Sequence, residues 1–220
     1  MATIALGIPT INQAELLQPS LEKYSANWYG RHTYIIDNGN QKLAPVGSKQ
    51  RIVKMPNNLG VAGSWNLLCR TIFGFGYTHI AILNDDIFWN KEADDIEHYI
   101  EQNPADFYVG MGQWCCFVLP YDTYAKVGLF DDKFINAYFE DNDYEYRMKL
   151  LGLSVHRSEF FNPDEYKQSQ SIRKEPALNN NFENNKNRYI EKLIGLSRLI
   201  VKDNNFRFSA LLNAPNVTFQ

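Results

Sequence analysis

The feature that most constrains the fold is a nearly continuous apolar run, His79 to Leu83, that stops abruptly at polar residues. A strand that is apolar on both faces is typical of the centre of a parallel sheet covered by helices on both sides. The run is followed directly by Asn84, Asp85 and Asp86. We therefore predict a buried central strand at 79–83 with an acidic loop at its carboxyl end.

The residues before this run alternate between strand and helix patterns. Short β-branched or aliphatic runs at Thr3–Ile8, Thr33–Ile36 and Arg51–Met55 each end in turn-forming residues. Apolar residues at helical spacing predict helices over Gln13–Tyr24 and Val61–Ile72. This alternation predicts an α/β fold with a mostly parallel central sheet flanked by helices, of the Rossmann-like kind. Ligands of such sheets bind beyond the carboxyl ends of the strands.

The pattern becomes mixed beyond Phe107. Phe117–Leu119 has the composition of a strand, and helices are predicted over Tyr121–Val127 and Asp141–Leu151. Gly152 is placed to end the last of these helices.

The C-terminal segment changes character from about Lys174, where Asn, Lys and Glu become frequent. We interpret Asn179–Asn181 and Asn184–Asn185 as an exposed polar linker. A helical stripe then predicts an appended helix; its members are Tyr189, Leu193, Leu196 and Ile200. We predict one domain over residues 1–175 and a helical extension over 176–220 that packs on that domain or on a second copy of the chain.

Basic residues surround the apolar stripe of this predicted helix. They are Lys186, Arg188, Lys192, Arg198 and Lys202. A basic amphipathic helix of this kind can also rest on an anionic membrane surface. Peripheral membrane contact is therefore an alternative to packing within the protein.

Composition and charge narrow the class of protein. A chain of 220 residues, 45% hydrophobic, suits one sizeable globular domain. The net charge of -3 argues against a nucleic-acid partner, since proteins that neutralise many phosphates carry a basic excess. Three cysteines give no disulfide framework, and neither a signal-peptide pattern nor a membrane-length apolar window is present, so we expect a cytoplasmic protein.

The adjacent carboxylates of Asp85 and Asp86 would repel one another at the end of a buried strand. A hard divalent cation removes that cost, and Mg²⁺ or Mn²⁺ is commonly held by one or two carboxylates together with phosphate oxygens. The alternative is that one of these residues caps a helix that comes after the strand.

A second acidic group, Glu140 to Asp143, lies where the helix over 141–151 is predicted to begin. The positive end of the helix dipole tolerates such charge, and Asp143 is spaced to pair with Arg147 one turn later. This structural explanation covers Glu140 and Asp141 less well. Either could act as a general base in a cleft.

Polar loops follow each of the early strands: Pro9–Asn12, Asp37–Asn38 and Asn58–Asn66. Together they offer what a nucleotide requires, namely polar groups for the base and ribose and small residues that let the backbone approach closely. The stretch Gly60 to Asn66 is neither a Walker loop nor a dinucleotide-binding fingerprint.

These motifs, in this order, resemble those of family 2 inverting glycosyltransferases, which have the GT-A fold. The resemblance covers roughly residues 4 to 155. The matching segments are Gly7–Thr10, Ile36–Asn38, Asn58–Asn66, Leu83–Asp86, Val127–Asp132 and Phe139–Asp143. The family pattern has Asp-x-Asp after the central strand, whereas this chain has Asn84 in the first position.

The resemblance implies a role for each motif. The residues implied to bind the nucleotide-sugar donor are Pro9, Thr10, Asp37, Asn38, Asn58, Gly60, Gly63, Asn66, Asn84 and Asp85. Asp86 would be the principal ligand of Mn²⁺ or Mg²⁺, and His156 takes the place of the family's C-terminal metal-binding histidine or is a structural residue. Asp141 would be the catalytic base, with Glu140 its nearest substitute. Gln113 and Trp114 would lie on the acceptor side, where a glycan binds, although Trp114 could equally be a core residue.

Two other functions remain open on the sequence. A sugar nucleotidyltransferase uses a related sheet and acidic metal ligands, but this chain has no glycine-rich basic loop straight after the first strand. The second alternative is a non-catalytic module that binds a nucleotide sugar or a carbohydrate.

Overall fold

The computed structural model describes residues 1–112, 114–166 and 180–202, with side chains of the last helix described to residue 195. The strands are β1 (Ile4–Thr10), β2 (Thr33–Asp37), β3 (Gln50–Lys54), β4 (His79–Leu83), β5 (Ile87–Phe88), β6 (Phe107–Val109), β7 (Cys116–Pro120), β8 (Val155–Arg157) and β9 (Glu165–Tyr166). The helices are α1 (Ala14–Asn27), α2 (Gly60–Gly74), α3 (Ala93–Gln102), α4 (Tyr121–Val127), α5 (Glu140–Leu150) and α6 (Phe182–Lys202), and a 3₁₀ turn spans Glu159–Phe161.

Within the described part of the chain, seven strands form one mixed sheet in the order β3-β2-β1-β4-β7-β6-β8. Strands β1 to β4 are parallel, β7 is antiparallel to both of its neighbours, and β8 is parallel to β6. The predicted mostly parallel α/β sheet with flanking helices is therefore confirmed. Strand β4 has the predicted bounds and lies at the centre of the sheet, between β1 and β7.

The apolar character of β4 is explained by a core on each face of the sheet. Ala81 and Leu83 belong to one cluster, with the buried sides of α1 and α3, while Ile80 and Ile82 belong to the other, with those of α2 and α5. Successive side chains of a strand point to opposite faces, so a strand buried on both sides has no place for a polar residue.

Helix α5 ends as the sequence predicts. Gly152 has a positive φ of 69°, and its amide and that of Leu153 donate to the carbonyls of Lys149 and Met148. This pair of hydrogen bonds closes the last turn, and the left-handed conformation that it needs favours glycine.

The C-terminal segment differs from its predicted form at Asn185. Helix α6 begins at Phe182, so Asn185 is helical, and its side chain is only 2% exposed rather than part of an exposed linker. Asn179 and the side chains of Leu196 and Ile200 lie outside the described residues.

Helix α6 also directs cations inward. Arg188 and Lys192 both pair with Asp131, so the charges of these two side chains are offset within the protein. None of the helices in the described ranges is both long and apolar enough to span a bilayer.

Candidate active site

A cleft of about 490 Å³ opens at the edge of the sheet where the parallel strands end. Its lining includes residues that come after β1, β2 and β4, together with the start of α2 and the first turn of α5. The carboxyl ends of parallel strands meet at one edge, which is why motifs far apart in sequence converge here.

The floor of the cleft carries the acidic pair at the end of β4. Asp85 and Asp86 both line the cleft, and each is 8% exposed. One oxygen of Asp85, Oδ2, accepts a hydrogen bond of 3.2 Å from the amide of Ile11, which ties this loop to the loop after β1. Asn84 also lines the cleft, and its amide donates to the carbonyl of Cys115.

The path of the chain after Asp86 excludes the helix-capping explanation for this pair. The chain continues into the short strand β5, and the next helix, α3, begins at Ala93 after Glu92. Neither carboxylate therefore lies at the start of a helix. Two adjacent carboxylates repel one another, and a divalent cation is one group that offsets this cost.

The donor set in this cleft fits a hard divalent cation. The described residues contain no cluster of three His, Cys, Asp or Glu side chains that could hold a metal. Mg²⁺ and Mn²⁺ do not need such a cluster, since they are commonly bound through one or two carboxylates and the oxygens of a substrate phosphate. Asp85 and Asp86 both line this cleft and could supply such carboxylates.

Residues from the end of β1, from the loop after β2 and from around the start of α2 line one part of the cleft. Pro9, Thr10, Asn38, Asn58 and Gly60 all line the cleft, as the family resemblance implies. Asn38 uses its side chain to shape this part: its Oδ1 accepts from the amide of Leu59 at 3.0 Å, and its Nδ2 donates to Ser64 Oγ at 2.9 Å.

Three of the predicted donor-binding residues do not line the cleft. Asp37 is 2% exposed, and its Oδ1 accepts from the Gly39 amide and from Gln41 Nε2, so it stabilises the loop after β2. Asn66 is buried and exchanges two hydrogen bonds with the backbone of Phe130. Gly63 lies in α2, one turn beyond the start of that helix, and is not part of the lining.

Close contact with the backbone of Asn136 favours glycine at position 60. It has a φ of 69°, and a Cβ placed on it would lie 3.0 to 3.2 Å from backbone atoms of Asn136. The next amide, that of Val61, donates to the carbonyl of Asn136 at 2.7 Å. The start of α2 therefore packs directly against the segment that leads into α5.

The segment that leads into α5, residues 135–139, has an unusual backbone. Asn136, Tyr138 and Phe139 have φ values of 65°, 80° and 73°. Non-glycine residues in left-handed conformations cost on the order of 1–3 kcal/mol each and persist only where the surroundings hold them, often at functional sites. Asn136, Ala137 and Tyr138 line the cleft.

Glu140 and Asp141 come directly after this segment and face the same cleft. Glu140 is 6% exposed, and its Oε2 is buried without a hydrogen-bond partner. Burial, and then the neighbouring charge of Asp141, raise the pKa of Glu140 to about 8. Burial also raises the pKa of Asp141, against the effect of the Asn142 amide, which donates to Asp141 Oδ1 at 2.8 Å.

The two carboxyl groups are therefore differentiated by their surroundings. Glu140 is largely protonated at neutral pH, because its pKa lies near 8. Asp141 is the more exposed of the two, so the protein hinders its ionised form less. A carboxyl group that burial keeps neutral can donate a hydrogen bond, while a more exposed neighbour can accept a proton.

Asp143 is explained by structure alone. It is 1% exposed, and its Oδ2 accepts from Arg147 Nε at 2.9 Å, as the spacing of four residues predicts. Lys192 of α6 also contacts Asp143, through its Oδ1. This carboxylate is therefore not available to the cleft.

The far end of the cleft combines an aromatic ring with an ion pair. Trp114 lines the cleft, and its Nε1 donates to Glu145 Oε2, which also pairs with Arg157 at 2.7 Å. Burial opposes it, but the hydrogen bonds from Arg157 and Trp114 hold the pKa of Glu145 below its ordinary value. Gln113 lies outside the described residues.

His156 lies in β8 but is not among the residues that line the cleft. Its Nε2 lies 3.0 Å from the hydroxyl of Tyr99, and its ring packs against Tyr99 and Tyr108. The next residue, Arg157, lines the cleft instead. These contacts support the structural interpretation of His156 over a role as a metal ligand.

Several residues that line the cleft have no counterpart among the predicted site residues. They are Ile11, Val61, Trp65, Gly112, Cys115, Asn136, Ala137, Tyr138, Asn142, Glu145 and Arg157. Most of them are close in sequence to predicted residues, and this proximity is a signal from which they could have been predicted. The segment 136–138 carries no such signal.

No family model and no curated protein matches this sequence. Solved structures do match the fold. GalNAc-T7 in complex with UDP, GalNAc and Mn²⁺ is 9% identical with a TM-score of 0.60, over 73% of this chain and 43% of that one. Glucosyl-3-phosphoglycerate synthase from Mycobacterium tuberculosis, with Mn²⁺, UDP and glucosyl-3-phosphoglycerate, is 9% identical with a TM-score of 0.56, over 88% and 79% of the two chains.

A mutant of Drosophila β-1,4-galactosyltransferase 7, in complex with manganese, UDP-Gal and xylobiose, is 13% identical. Its TM-score is 0.51, over 79% of this chain and 74% of that one. These similarities define the class to which the fold belongs. The chain has the GT-A fold that the sequence motifs predict.

Proposed function

We propose that this chain is a metal-dependent inverting glycosyltransferase. It would move a sugar from a nucleoside diphosphate sugar to a hydroxyl of a glycan, lipid-linked or protein-linked acceptor. The observation that carries the proposal is the convergence of the β4-end carboxylates and the first turn of α5 on one cleft. The matched structures that hold UDP or UDP-Gal with manganese support the nucleotide-sugar donor and the metal by analogy of fold, and they do not bear on inversion.

Asp86, with Asp85 beside it, would hold Mn²⁺ or Mg²⁺. When bound, such an ion neutralises the charge of a departing diphosphate. The wall of Pro9, Thr10 and Asn58 would border the nucleotide.

Asp141 would act as the general base. Its carboxylate accepts the proton of the acceptor hydroxyl as that oxygen bonds to the anomeric carbon, and the bond from this carbon to the diphosphate oxygen breaks on the opposite side. The nucleoside diphosphate leaves with the bonding electrons, and the sugar inverts its anomeric configuration. Glu140, largely protonated at neutral pH, would donate a hydrogen bond rather than accept a proton.

Donor turnover tests this assignment. Purified protein with Mn²⁺ is incubated with a panel of sugar nucleotides, and released nucleoside diphosphate is measured with and without oligosaccharide acceptors. We expect Asp141→Asn to lower kcat by about 10²- to 10⁴-fold, the usual contribution of general-base catalysis. Glu140→Gln, which resembles the protonated acid, should cost much less. The reverse ranking would exchange the two roles.

The stereochemistry of the product tests inversion separately. Proton NMR of the freshly formed glycoside should show the anomeric configuration opposite to that of the donor. Retention would refute the single-displacement mechanism even if transfer occurs.

Cation-dependent nucleotide binding tests the metal assignment. We expect Asp86→Ala to abolish the increase in nucleoside diphosphate affinity that Mn²⁺ produces in calorimetry. Asp95→Ala, at an exposed carboxylate of α3, is the matched control and should retain it. Unchanged Mn²⁺ dependence in Asp86→Ala would exclude this residue as the ligand.

The same assays separate the alternative functions. A nucleotidyltransferase would release pyrophosphate from a nucleoside triphosphate and a sugar phosphate. A non-catalytic module would bind a sugar nucleotide without releasing nucleoside diphosphate in the presence of any acceptor.

A further inference from the structure

The segment 135–139 contributes residues 136–138 to the lining of the cleft and leads directly into the first turn of α5. Three of its residues, Asn136, Tyr138 and Phe139, are left-handed. Residues other than glycine rarely adopt this backbone conformation, so contacts from elsewhere in the fold must hold the segment in place.

Asn185 of α6 supplies such contacts to the backbone of the segment. Its Oδ1 accepts from the amide of Ile135 at 3.1 Å, and its Nδ2 donates to the carbonyls of Ile135 and Ala137 at 2.9 and 2.8 Å. One side-chain amide thus binds backbone groups on both sides of Asn136. The side chain is only 2% exposed, so water cannot readily replace these hydrogen bonds.

Aromatic contacts from α6 extend this support to the residue that precedes α5. The ring of Phe139 stacks on Tyr189 with centroids 5.7 Å apart and contacts Phe182 at 5.2 Å. Tyr138 contacts the same Phe182 ring at 5.3 Å.

A buried cation continues the contact one turn further along α5. Lys192, with a side chain 8% exposed, pairs with Asp131 at 3.0 Å and contacts Asp143. Helix α6 therefore touches the protein before, along and after the left-handed segment.

We propose that Asn185 is a positioning residue for the sugar transfer, acting through the backbone of residues 135–137 on Glu140 and Asp141. This inference rests on the proposed function. Asn185 itself is not among the residues that line the cleft. It fixes the direction in which the chain enters α5, and the two carboxyl groups come immediately after.

The experiment compares Asn185→Ala with Asn184→Ala in the full chain. Asn184 is the adjacent residue of the same helix and is exposed, which makes it a matched control. We expect Asn185→Ala to lower kcat for nucleoside diphosphate release at least tenfold while the KM for the donor changes less than threefold. The control should keep both values within twofold.

Hydrogen exchange followed by mass spectrometry supplies a readout that does not depend on turnover. Peptides covering residues 133–140 should exchange at least tenfold faster in Asn185→Ala, while peptides from α1 keep the wild-type rate. A global loss of structure would accelerate both. In that case the same kinetic and exchange measurements are made on Asn185→Asp. This variant keeps an acceptor for the Ile135 amide but loses the two hydrogen bonds that the amide group donates.

These experiments distinguish failure of the positioning role from failure of the proposed function. If Asn185→Ala folds and keeps wild-type kcat, or if exchange over 133–140 is unchanged, the positioning role is refuted while the proposed function stands. If the wild-type chain releases no nucleoside diphosphate from any sugar nucleotide, it is the proposed function that fails.

Discussion

Glu140→Gln should make the free energy of unfolding less dependent on pH. The pKa of this carboxyl rises from an ordinary 4.5 to about 8 in the folded chain, because burial disfavours its charged form. The folded chain therefore binds this proton more tightly than the unfolded chain does. The stability that the protonated group contributes is fully present below about pH 4.5 and is lost as the pH rises through about 8.

The magnitude is set by the proton linkage. Each pH unit between the two pKa values changes the relative stability by about 1.4 kcal/mol. Glutamine resembles the protonated acid but cannot ionise. The free energy of unfolding of Glu140→Gln, minus that of the wild type, should therefore increase by about 1.4 kcal/mol for each pH unit between pH 5 and pH 8. Over the whole range this difference should increase by up to about 4 kcal/mol.

Urea denaturation followed by fluorescence at pH 5, 6, 7 and 8 measures this difference. EDTA is added throughout, so that no bound cation alters the charge of the cleft. Glu22→Gln, at an exposed position of α1, controls for the general effect of removing a carboxylate. A difference between Glu140→Gln and wild type that stays flat from pH 5 to pH 8 would refute the claim that folding holds Glu140 in its protonated form.

Two further substitutions test the packing around the cleft. Gly60→Ala should lower the free energy of unfolding by about 1–3 kcal/mol, because φ is positive there and the new Cβ meets the backbone of Asn136. Gly74→Ala in the same helix is the control, because its new Cβ has no atom within 4 Å, and it should be neutral or stabilising in urea denaturation. Equal losses of stability in both variants would contradict the steric argument. Asp143→Asn should lower the free energy of unfolding by about 3–5 kcal/mol, because it leaves the buried Arg147 without its carboxylate. A loss below about 1 kcal/mol would show that the carbonyls bound to Arg147 suffice.

The sequence predicts the sheet and the floor of the cleft because both depend on local patterns. The apolar run that ends at Asp85 and Asp86 defines a central strand, and parallel strands share one carboxyl edge. The acidic start of α5 can be recognised in the same way. The sheet topology brings these two acidic segments to the same edge, so their convergence can be predicted without any contact distance.

The choice between His156 and Arg157 could not be predicted in this way, because it depends on strand parity. Strand β8 has only three residues, and neighbours in a strand point to opposite faces. Its register with β6 pairs His156 with Tyr108 and leaves Arg157 at the cleft. The sequence alone leaves His156 open between a metal ligand and a structural residue, and it gives no signal for Arg157.

Burial of polar residues was the other obstacle. Asn185 lies in an Asn-rich stretch that has the composition of an exposed linker, yet it is buried because the backbone of residues 135–137 needs hydrogen-bond partners. Asp37 is likewise turned inward, toward the Gly39 amide of its own loop and the side chain of Gln41. In both cases a backbone group is among the decisive partners, and no side-chain pattern reveals its position.

The first turn of α5 shows how one acidic run serves two purposes. Phe139 precedes the helix in a left-handed conformation and makes no side-chain cap, so the first-turn amides need other acceptors. Asp141 accepts one of them, from Asn142, and that bond orients the carboxylate that borders the cleft. Asp143 is held by Arg147 and Lys192. Capping and the proposed catalytic role are thus compatible for this run, because the backbone hydrogen bond at the start of the helix also orients the carboxylate of the proposed base.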